Sequence, residues 1–237
     1  MSINEGSSPE ARAIHISGVL NVRDLGGLTG EQGTIRKGLI LRTAGLEDLT
    51  EEGAQALADL GLRTVIDLRT QEEREEAPDR ISQWPQLSGV REVWLPFVTD
   101  WEGSPDTPIG SYLFMVERGA KAIGAVFEQL AAADGLPAII HCAAGKDRTG
   151  LTVAVLQSWL GVPSDAIEAD FIVSNEILAA HDALKYPAHA SALAAALAEI
   201  GGVHGDVAGF LAAQGVSAAA LDSLRTALID PASTAHG

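Results

Sequence analysis

Residues 137–150 read Pro-Ala-Ile-Ile-His-Cys-Ala-Ala-Gly-Lys-Asp-Arg-Thr-Gly and run directly into the apolar stretch Leu151 to Leu160. A short apolar run, a polar glycine-containing loop and a longer apolar segment read as a buried strand, a tight turn and a helix packed on the sheet. Five residues separate Cys142 from Arg148 in the turn. That span can wrap once round a tetrahedral oxyanion. The backbone N–H groups of Ala143, Ala144, Gly145, Lys146, Asp147, Arg148 and Thr149 would then surround the anion, backed by the positive helix end. Gly145 allows the turn without a Cβ clash. The same electropositive setting favours thiolate over thiol at Cys142. Arg148 supplies a planar guanidinium that can make two parallel hydrogen bonds to phosphate oxygens. The expected chemistry is displacement at phosphorus: Cys142 attacks, a thiophosphate forms, and water hydrolyses it, with no metal or cofactor required. Thr149 is a candidate hydrogen-bond donor to the sulfur, and His141 a candidate brace for the loop through its ring.

Neighbouring chemistries do not fit. A nucleotide phosphate loop needs glycine where Ile140 stands. With one cysteine in the chain, neither an intramolecular disulfide nor a Cys-rich zinc site can form. Working outward, Gly38 to Arg42, Thr64 to Asp67, Glu92 to Phe97 and Pro137 to His141 read as strands, alternating with helical patterns over Thr50 to Leu60 and Ile109 to Ala133. After His141 the pattern is helical throughout: Arg148 to Leu160, Ser164 to Ala180, Ala188 to Ile200, Asp206 to Gln214 and Ser217 to Ile229. The expected fold is α/β, with a central, mostly parallel sheet of four to five strands flanked by helices and an all-helical C-terminal half. A single domain is expected over 14–230, between a flexible N-terminus (1–13) and a flexible C-terminus (231–237).

The chain has 237 residues, with 16 Lys and Arg against 32 Asp and Glu, a formal charge of −16. An acid excess of this size argues against sequence-independent affinity for nucleic acid or anionic lipid. The first residues lack the basic and apolar regions of a secretory signal, and no run of about 18 apolar residues could span a bilayer. No transmembrane segment is expected. The address is cytoplasmic, or outside the cell by a route that needs no such signal.

The segment HCAAGKDRTG resembles the signature of the tyrosine phosphatase superfamily, and with Lys146 and Asp147 inside the loop it is similar to the atypical bacterial enzymes of the PtpB type. The resemblance extends to Asn21-Val22-Arg23-Asp24-Leu25-Gly26-Gly27, Arg42-Thr43-Ala44, Val65 to Arg69, and Asp170-Phe171-Ile172-Val173-Ser174-Asn175. It implies a tyrosine-phosphatase-like fold with Cys142 as nucleophile and Arg148 as phosphate ligand. The implied substrates are phosphorylated proteins and, for some members, phosphoinositides. Members of the PtpB type carry a long helical lid after the last of these segments. Here Glu176 to Gly202 is short for one.

Cleaving a phosphate ester at neutral pH needs a proton for the leaving oxygen. Asp100, after the strand ending at Phe97, is the leading donor, with Asp106 and Asp147 as alternatives. Asp147 is an anion beside a thiolate and a phosphate, so it should point away or have a partner: a salt bridge in the loop or to Arg23 or Arg69, or the attacking water. Lys146 is expected at the pocket rim, where its charge would suit a second phosphate. Arg23 and Asp24 read either as a brace beneath the loop or as a plain β-turn, and Arg42 and Arg69 as support residues at strand ends. Trp101 and Tyr112 could stack on an aromatic substrate, with core packing the simpler role for Tyr112. Gln71 to Glu76 reads as a solvated helix start. The expected function is phosphomonoester hydrolysis, chiefly of protein phosphotyrosine and also of phosphoserine, phosphothreonine and phosphoinositides. The alternative is a catalytically weak module that holds phosphoproteins.

Overall fold

The computed structural model describes residues 12–231. In chain order the elements are β1 (Arg23–Asp24), β2 (Thr29–Gly30), β3 (Gly33–Ile35), β4 (Ile40–Thr43), α1 (Glu51–Asp59), β5 (Thr64–Asp67), α2 (Gln71–Glu76), β6 (Arg91–Trp94), α3 (Pro108–Ala131), β7 (Ala138–His141), α4 (Asp147–Trp159), α5 (Ser164–Ala179), α6 (Ala190–His204), α7 (Val207–Ala213), α8 (Ala218–Leu228) and β8 (Ile229–Pro231). Two turns of 3₁₀ helix, Ile81–Gln83 and Pro85–Leu87, lie between α2 and β6.

Five strands form the central sheet in the order β1-β4-β7-β5-β6. The β4, β7, β5 and β6 strands run parallel and β1 is antiparallel to β4. The expected α/β architecture is the observed one. β7 sits in the middle, with His141 in register with Thr43 on one side and Asp67 on the other. The chain therefore leaves the carboxyl edge of the sheet at Cys142, between neighbours that can both supply side chains, the place where open α/β sheets bind ligands.

Period-two alternation decides which face each strand residue serves. Ala138, Ile140 and Ile66 join the larger core beneath α3 to α8, while Ile139, Val65 and Leu41 join the smaller core beneath α1 and the 3₁₀ turns. Being apolar on both faces is what a parallel strand between two helical layers requires. α4 is buried almost all round, as its continuous apolar pattern indicates.

Most boundaries differ from the sequence reading by one or two residues, the short strands β1 to β3 are absent from it, and three differences are larger. β6 stops at Trp94 rather than Phe97 because Pro96 has no N–H to donate to the ladder. α6 continues past Ile200 through Gly201 and Gly202 to His204, ending at Gly205 with φ of 84°. The helical C-terminal half closes on a short strand, since Ile229–Pro231 pairs with β3 in a second, three-stranded sheet. The N-terminal lead-in falls mostly outside the described residues. Arg12, at its end, is 3% exposed and bonded into the core. Residues 232–237 also lie outside.

Candidate active site

The loop after β7 is held open by its carbonyl groups. Gly45 N–H donates to the Ala143 carbonyl at 3.0 Å. The Asn21 amide donates to the Ala144 carbonyl at 2.9 Å and to that of Gly145 at 3.2 Å, and Arg42 donates to the Gly145 carbonyl at 2.8 Å. Three successive C=O groups are thereby tied to the surrounding protein. Gly145 has φ of 63°, and a Cβ there would lie 2.2 Å from the Thr43 carbonyl oxygen, so this turn admits no side chain. α4 begins at Asp147 with no side-chain cap, which leaves its first N–H groups free for an anion. Cys142 lies buried at the foot of this loop.

Arg148 is fixed by a group that the sequence reading assigned to solvent. Its two terminal nitrogens donate to the two carboxylate oxygens of Glu73, at 2.5 and 2.6 Å. Glu73 is itself oriented by a capping box: its Oε2 accepts from the Thr70 N–H at 2.8 Å while Thr70 Oγ1 caps the Glu73 N–H. Burial raises the pKa of Glu73, but the paired bonds from Arg148 outweigh it and leave the carboxyl below its ordinary value. Arg148 is shifted upward: burial acts against this, and Glu73 and the Cys142 sulfur prevail. The guanidinium is thus held charged and pre-aimed, with little rotamer freedom left to lose on binding phosphate.

A family model described as the tyrosine phosphatase family matches residues 14–230. The chain belongs to the tyrosine phosphatase family. A tyrosine-protein phosphatase of Nostoc commune is 30% identical over 143 residues, covering 58% of this chain and 49% of that protein. The triple specificity protein phosphatase PtpB of Mycobacterium tuberculosis is 28% identical over 197 residues, covering 68% of each chain. The chain thus spans about half the length of the Nostoc relative. Among solved structures, Pseudomonas aeruginosa TpbA is similar at 19% identity and a TM-score of 0.44, over 86% of this chain and 95% of that one.

Behind the loop of this family member lies a buried charge cluster. Asp170 on α5 is fully buried and accepts from Arg12 at 2.6 Å, Arg42 at 2.7 Å and Arg23 at 3.3 Å. Arg23 also donates to Ser174 Oγ at 2.8 Å and to Asn21 Oδ1. Burial pushes Asp170 up, but the three guanidinium charges, Arg42 first, take it well below the usual carboxylate range. Arg23 is lowered to about 9, by burial and then by Arg42, against the pull of Asp170. Arg23 is therefore a buried brace acting through Asn21 and Asp170. Asp24 holds the next turn, accepting from Gly26 and Gly38 N–H groups at 2.8 and 2.7 Å.

Arg69 braces a different element. It bonds Asp67 at 2.9 Å and Asp79 at 2.6 Å, and His141 Nε2 lies 3.2 Å from Asp79 Oδ2, off the hydrogen-bond direction. Asp67, Asp79 and His141 converge closely enough to suggest a metal site, but the cation among them is the Arg69 guanidinium. The His141 ring also lies beside its own loop, with Nδ1 3.3 Å from the Cys142 carbonyl oxygen.

Two loop residues depart from expectation, and a third, Asp147, meets one of its stated alternatives. Thr149 Oγ1 is buried without a hydrogen-bond partner, so the bond to sulfur is not formed in this conformation. Lys146 is no exposed rim charge: it is 6% exposed, donates to the Tyr186 carbonyl and lies 3.2 Å from Asp147 Oδ2. Asp147 has its salt bridge inside the loop, not to Arg23 or Arg69, and its Oδ1 accepts from the Tyr112 hydroxyl at 2.7 Å.

Two cavities reach the loop, and Lys146 and Tyr186 line both. One, of about 430 Å³, is lined by Ala143, Ala144, Glu47 and Glu73. The other, of about 700 Å³, is lined by Arg148, Asp147, Asp106, Trp101, Tyr112 and Tyr186 among others. Asp106 thus shares a cavity with Arg148. Asp100 does not line it; its carboxylate accepts the Glu102 N–H at 2.7 Å on the exposed loop before α3. Within Glu176 to Gly202, the loop 180–189 lends Tyr186, Pro187 and His189 to this larger cavity, with Tyr186 77% exposed, whereas α6 buries Ala192, Leu193, Ala196 and Ile200 in the core.

Glu73, Asn21 and Asp170 shape the site without having been given individual roles by the sequence reading, and Tyr112, read as core packing or a stacking surface, also holds Asp147. The Thr70-to-Glu73 spacing and the lone acid on the buried face of α5 were visible traces of two of them.

Proposed function

We propose that this chain is a cysteine-dependent phosphomonoesterase acting chiefly on protein phosphotyrosine. The observation that carries the reading is the Arg148 guanidinium, fixed by Glu73 at the open N-terminus of α4 beside buried Cys142. In the first step Cys142 Sγ attacks phosphorus, the S–P bond forms, and the ester P–O bond breaks. Charge on the non-bridging oxygens is met by loop N–H groups and Arg148, already oriented before substrate arrives. In the second step water attacks phosphorus, the S–P bond breaks, and phosphate leaves with the thiolate restored.

The preference for phosphotyrosine rests on the larger cavity, whose wall carries Trp101, Tyr112, Met115 and Pro187. A phenyl ring covers that wall and a serine side chain does not. The name of PtpB supports a broader range that includes phosphoserine and phosphothreonine as secondary substrates. The phosphoinositide reading loses its main support, because the Lys146 charge is already engaged by Asp147 and the Tyr186 carbonyl. On matched peptides, kcat/KM for phosphotyrosine is expected to exceed that for phosphoserine by about 10- to 200-fold, the range that apolar pocket contacts supply. Equal rates on the two would remove the aromatic-pocket argument. Absence of turnover on both peptides and on phosphoinositides would favour the phosphate-holding module.

The proton for the leaving oxygen comes from the loop between β6 and α3, where Asp106, which shares the cavity with Arg148, is the donor preferred to Asp100, which does not line it. Asp106→Asn is expected to slow phosphotyrosine hydrolysis about 10²-fold or more, as loss of a general acid does. A substrate with a much more acidic phenol should be slowed far less. If Asp100→Asn produces that pattern instead, the role passes to Asp100.

A further inference from the structure

Of the two cavities that reach the phosphate loop, the smaller carries more acid than the protein offsets. Glu47, Asp48, Glu73 and Asp147 line it against Lys146 and Lys185. Glu73 is clamped to Arg148, and Asp147 lies against Lys146. Glu47 and Asp48 are left with Lys185 alone in the lining. The Glu47 Oε2 is buried and accepts no hydrogen bond. The one cation in ion-pair range of it among the described residues, Arg69, stands 4.0 Å away and is already held by Asp67 and Asp79 at 2.9 and 2.6 Å. A carboxylate oxygen withdrawn from water with no donor is costly, and an arriving cation would relieve that cost.

The position of these acids ties them to the phosphate loop. The Glu47 carboxylate folds back over Gly45, where a Cβ would meet Oε2 at 2.1 Å, and the Gly45 N–H donates to the Ala143 carbonyl at 3.0 Å. Lys146 and Tyr186 line both cavities, so the two adjoin. A peptide whose phosphotyrosine ring fills the larger cavity therefore brings a neighbouring residue to the smaller one. An extended chain advances about 3.3 Å per residue, which puts that neighbour within two positions. Leu20, Leu178 and Ala183 supply apolar wall beside the acids. Apolar wall with a carboxylate beyond it suits a long basic side chain, whose methylenes pack while its charged head reaches the acid.

We propose that the smaller cavity is a subsite for an arginine or lysine within two positions of the phosphotyrosine, with Glu47 and Asp48 as its specificity-determining residues. The formal charge of −16 acts in the same direction, drawing basic segments toward the protein at long range. This rests on the phosphotyrosine reading above and adds to it the sequence around the phosphorylated residue.

The test is kcat/KM, at low and at physiological ionic strength, on three phosphotyrosine peptides that are alike except at the two positions on each side, which are arginine, glutamine or glutamate. The wild type is expected to favour the arginine peptide over the glutamine peptide by about five- to tenfold at low salt, the ratio shrinking as salt is added, as for ion pairs open to solvent. The glutamate peptide is expected to be the poorest. Glu47→Gln combined with Asp48→Asn should bring the arginine-to-glutamine ratio to about twofold or less, the two ion pairs being gone. Glu47 packs against Gly45, so Asp48→Lys, at an exposed position, is the variant that leaves the fold alone. It should narrow the gap between the arginine and glutamate peptides by about threefold or more, since one attraction becomes a repulsion. A wild-type ratio near one, a preference for the glutamate peptide, or ratios that neither variant alters would each overturn the proposal. So would an equal loss on all three peptides, because the acids would then serve the phosphotyrosine itself. Failure of the underlying reading looks different: the wild type would hydrolyse none of the three peptides, and the subsite would fall with it.

Discussion

Cys142→Ser is expected to reduce phosphatase activity on every substrate to background, a loss on the order of 10⁴-fold or more, comparable to removal of the nucleophile from other preorganised covalent sites. The change is a single atom, and it leaves the carbonyl anchors of Ala143, Ala144 and Gly145 in place. Phosphate binding should therefore survive within a few-fold, because the anion is held by N–H groups and Arg148 rather than by sulfur. What disappears is the sulfur nucleophile. A serine hydroxyl is a weak nucleophile unless a base takes its proton. Parallel measurement of kcat and of phosphate affinity separates this outcome from misfolding, which would lose both.

The second large effect is on stability. Asp170 is the only acid among the described residues that contacts Arg12, Arg23 and Arg42 together, and neither it nor these arginines is reached by solvent to any useful degree. Removing its charge takes from buried Arg23 and Arg42 the acid they both contact, and their mutual repulsion is then unopposed by it. Breaking a buried pair in this way costs roughly 3–5 kcal/mol, and a two- to four-degree fall in Tm per kcal/mol at this chain size makes the expected drop about 10 °C. Asp170→Asn should lose activity as well, because Arg42 carries the Gly145 carbonyl on its other nitrogen.

The same residue predicts acid sensitivity. Its folded pKa lies below that of the unfolded chain, about 3.9 for a free aspartate, so the stabilisation is complete above about pH 4. It declines as pH falls from there through the depressed native value. Thermal unfolding of the wild type should therefore weaken below pH 4 more steeply than that of Asp170→Asn. Parallel curves for the two would contradict the assignment.

Much of the proposed chemistry was legible because the residues assigned to it are consecutive. Cys142, Gly145 and Arg148 are read from one ten-residue segment, and the apolar runs on either side specify a strand and a helix with little ambiguity. The supporting partners were not, for a physical reason: they meet the loop only after folding. Glu73 is 75 positions from Arg148, Asn21 is 123 from Ala144, and Arg42 is 128 from Asp170. Gln71 to Glu76 also has the composition of a solvated helix start, and four of its six residues are exposed as one would be. Nothing in composition distinguishes Glu73 from Glu72 or Glu75. Only its place three residues after Thr70 does, and that spacing signals a cap before it signals a partner for arginine. Lys146 shows the converse error. A lysine in a polar loop reads as exposed, yet the Tyr186 carbonyl, 40 positions away, draws it inward.

The mixture of success and error follows a pattern. Local chemistry carries the anion loop, because backbone N–H groups and a helix end need no distant residue to bind phosphate. Precision of aim comes from long-range pairs: the Glu73 clamp on Arg148, the Asn21 and Arg42 bonds to loop carbonyls, and the Tyr112 bond to Asp147.

The central claim is that the Cys142 sulfur bonds directly to phosphorus inside this loop, and crystals soaked in orthovanadate test it most directly. The account predicts a five-coordinate vanadium bonded to Cys142 Sγ, its equatorial oxygens on loop N–H groups and on an Arg148 guanidinium still held by Glu73. A loop left empty, or an ion seated elsewhere with Arg148 turned to solvent and Cys142 unmodified, would contradict it.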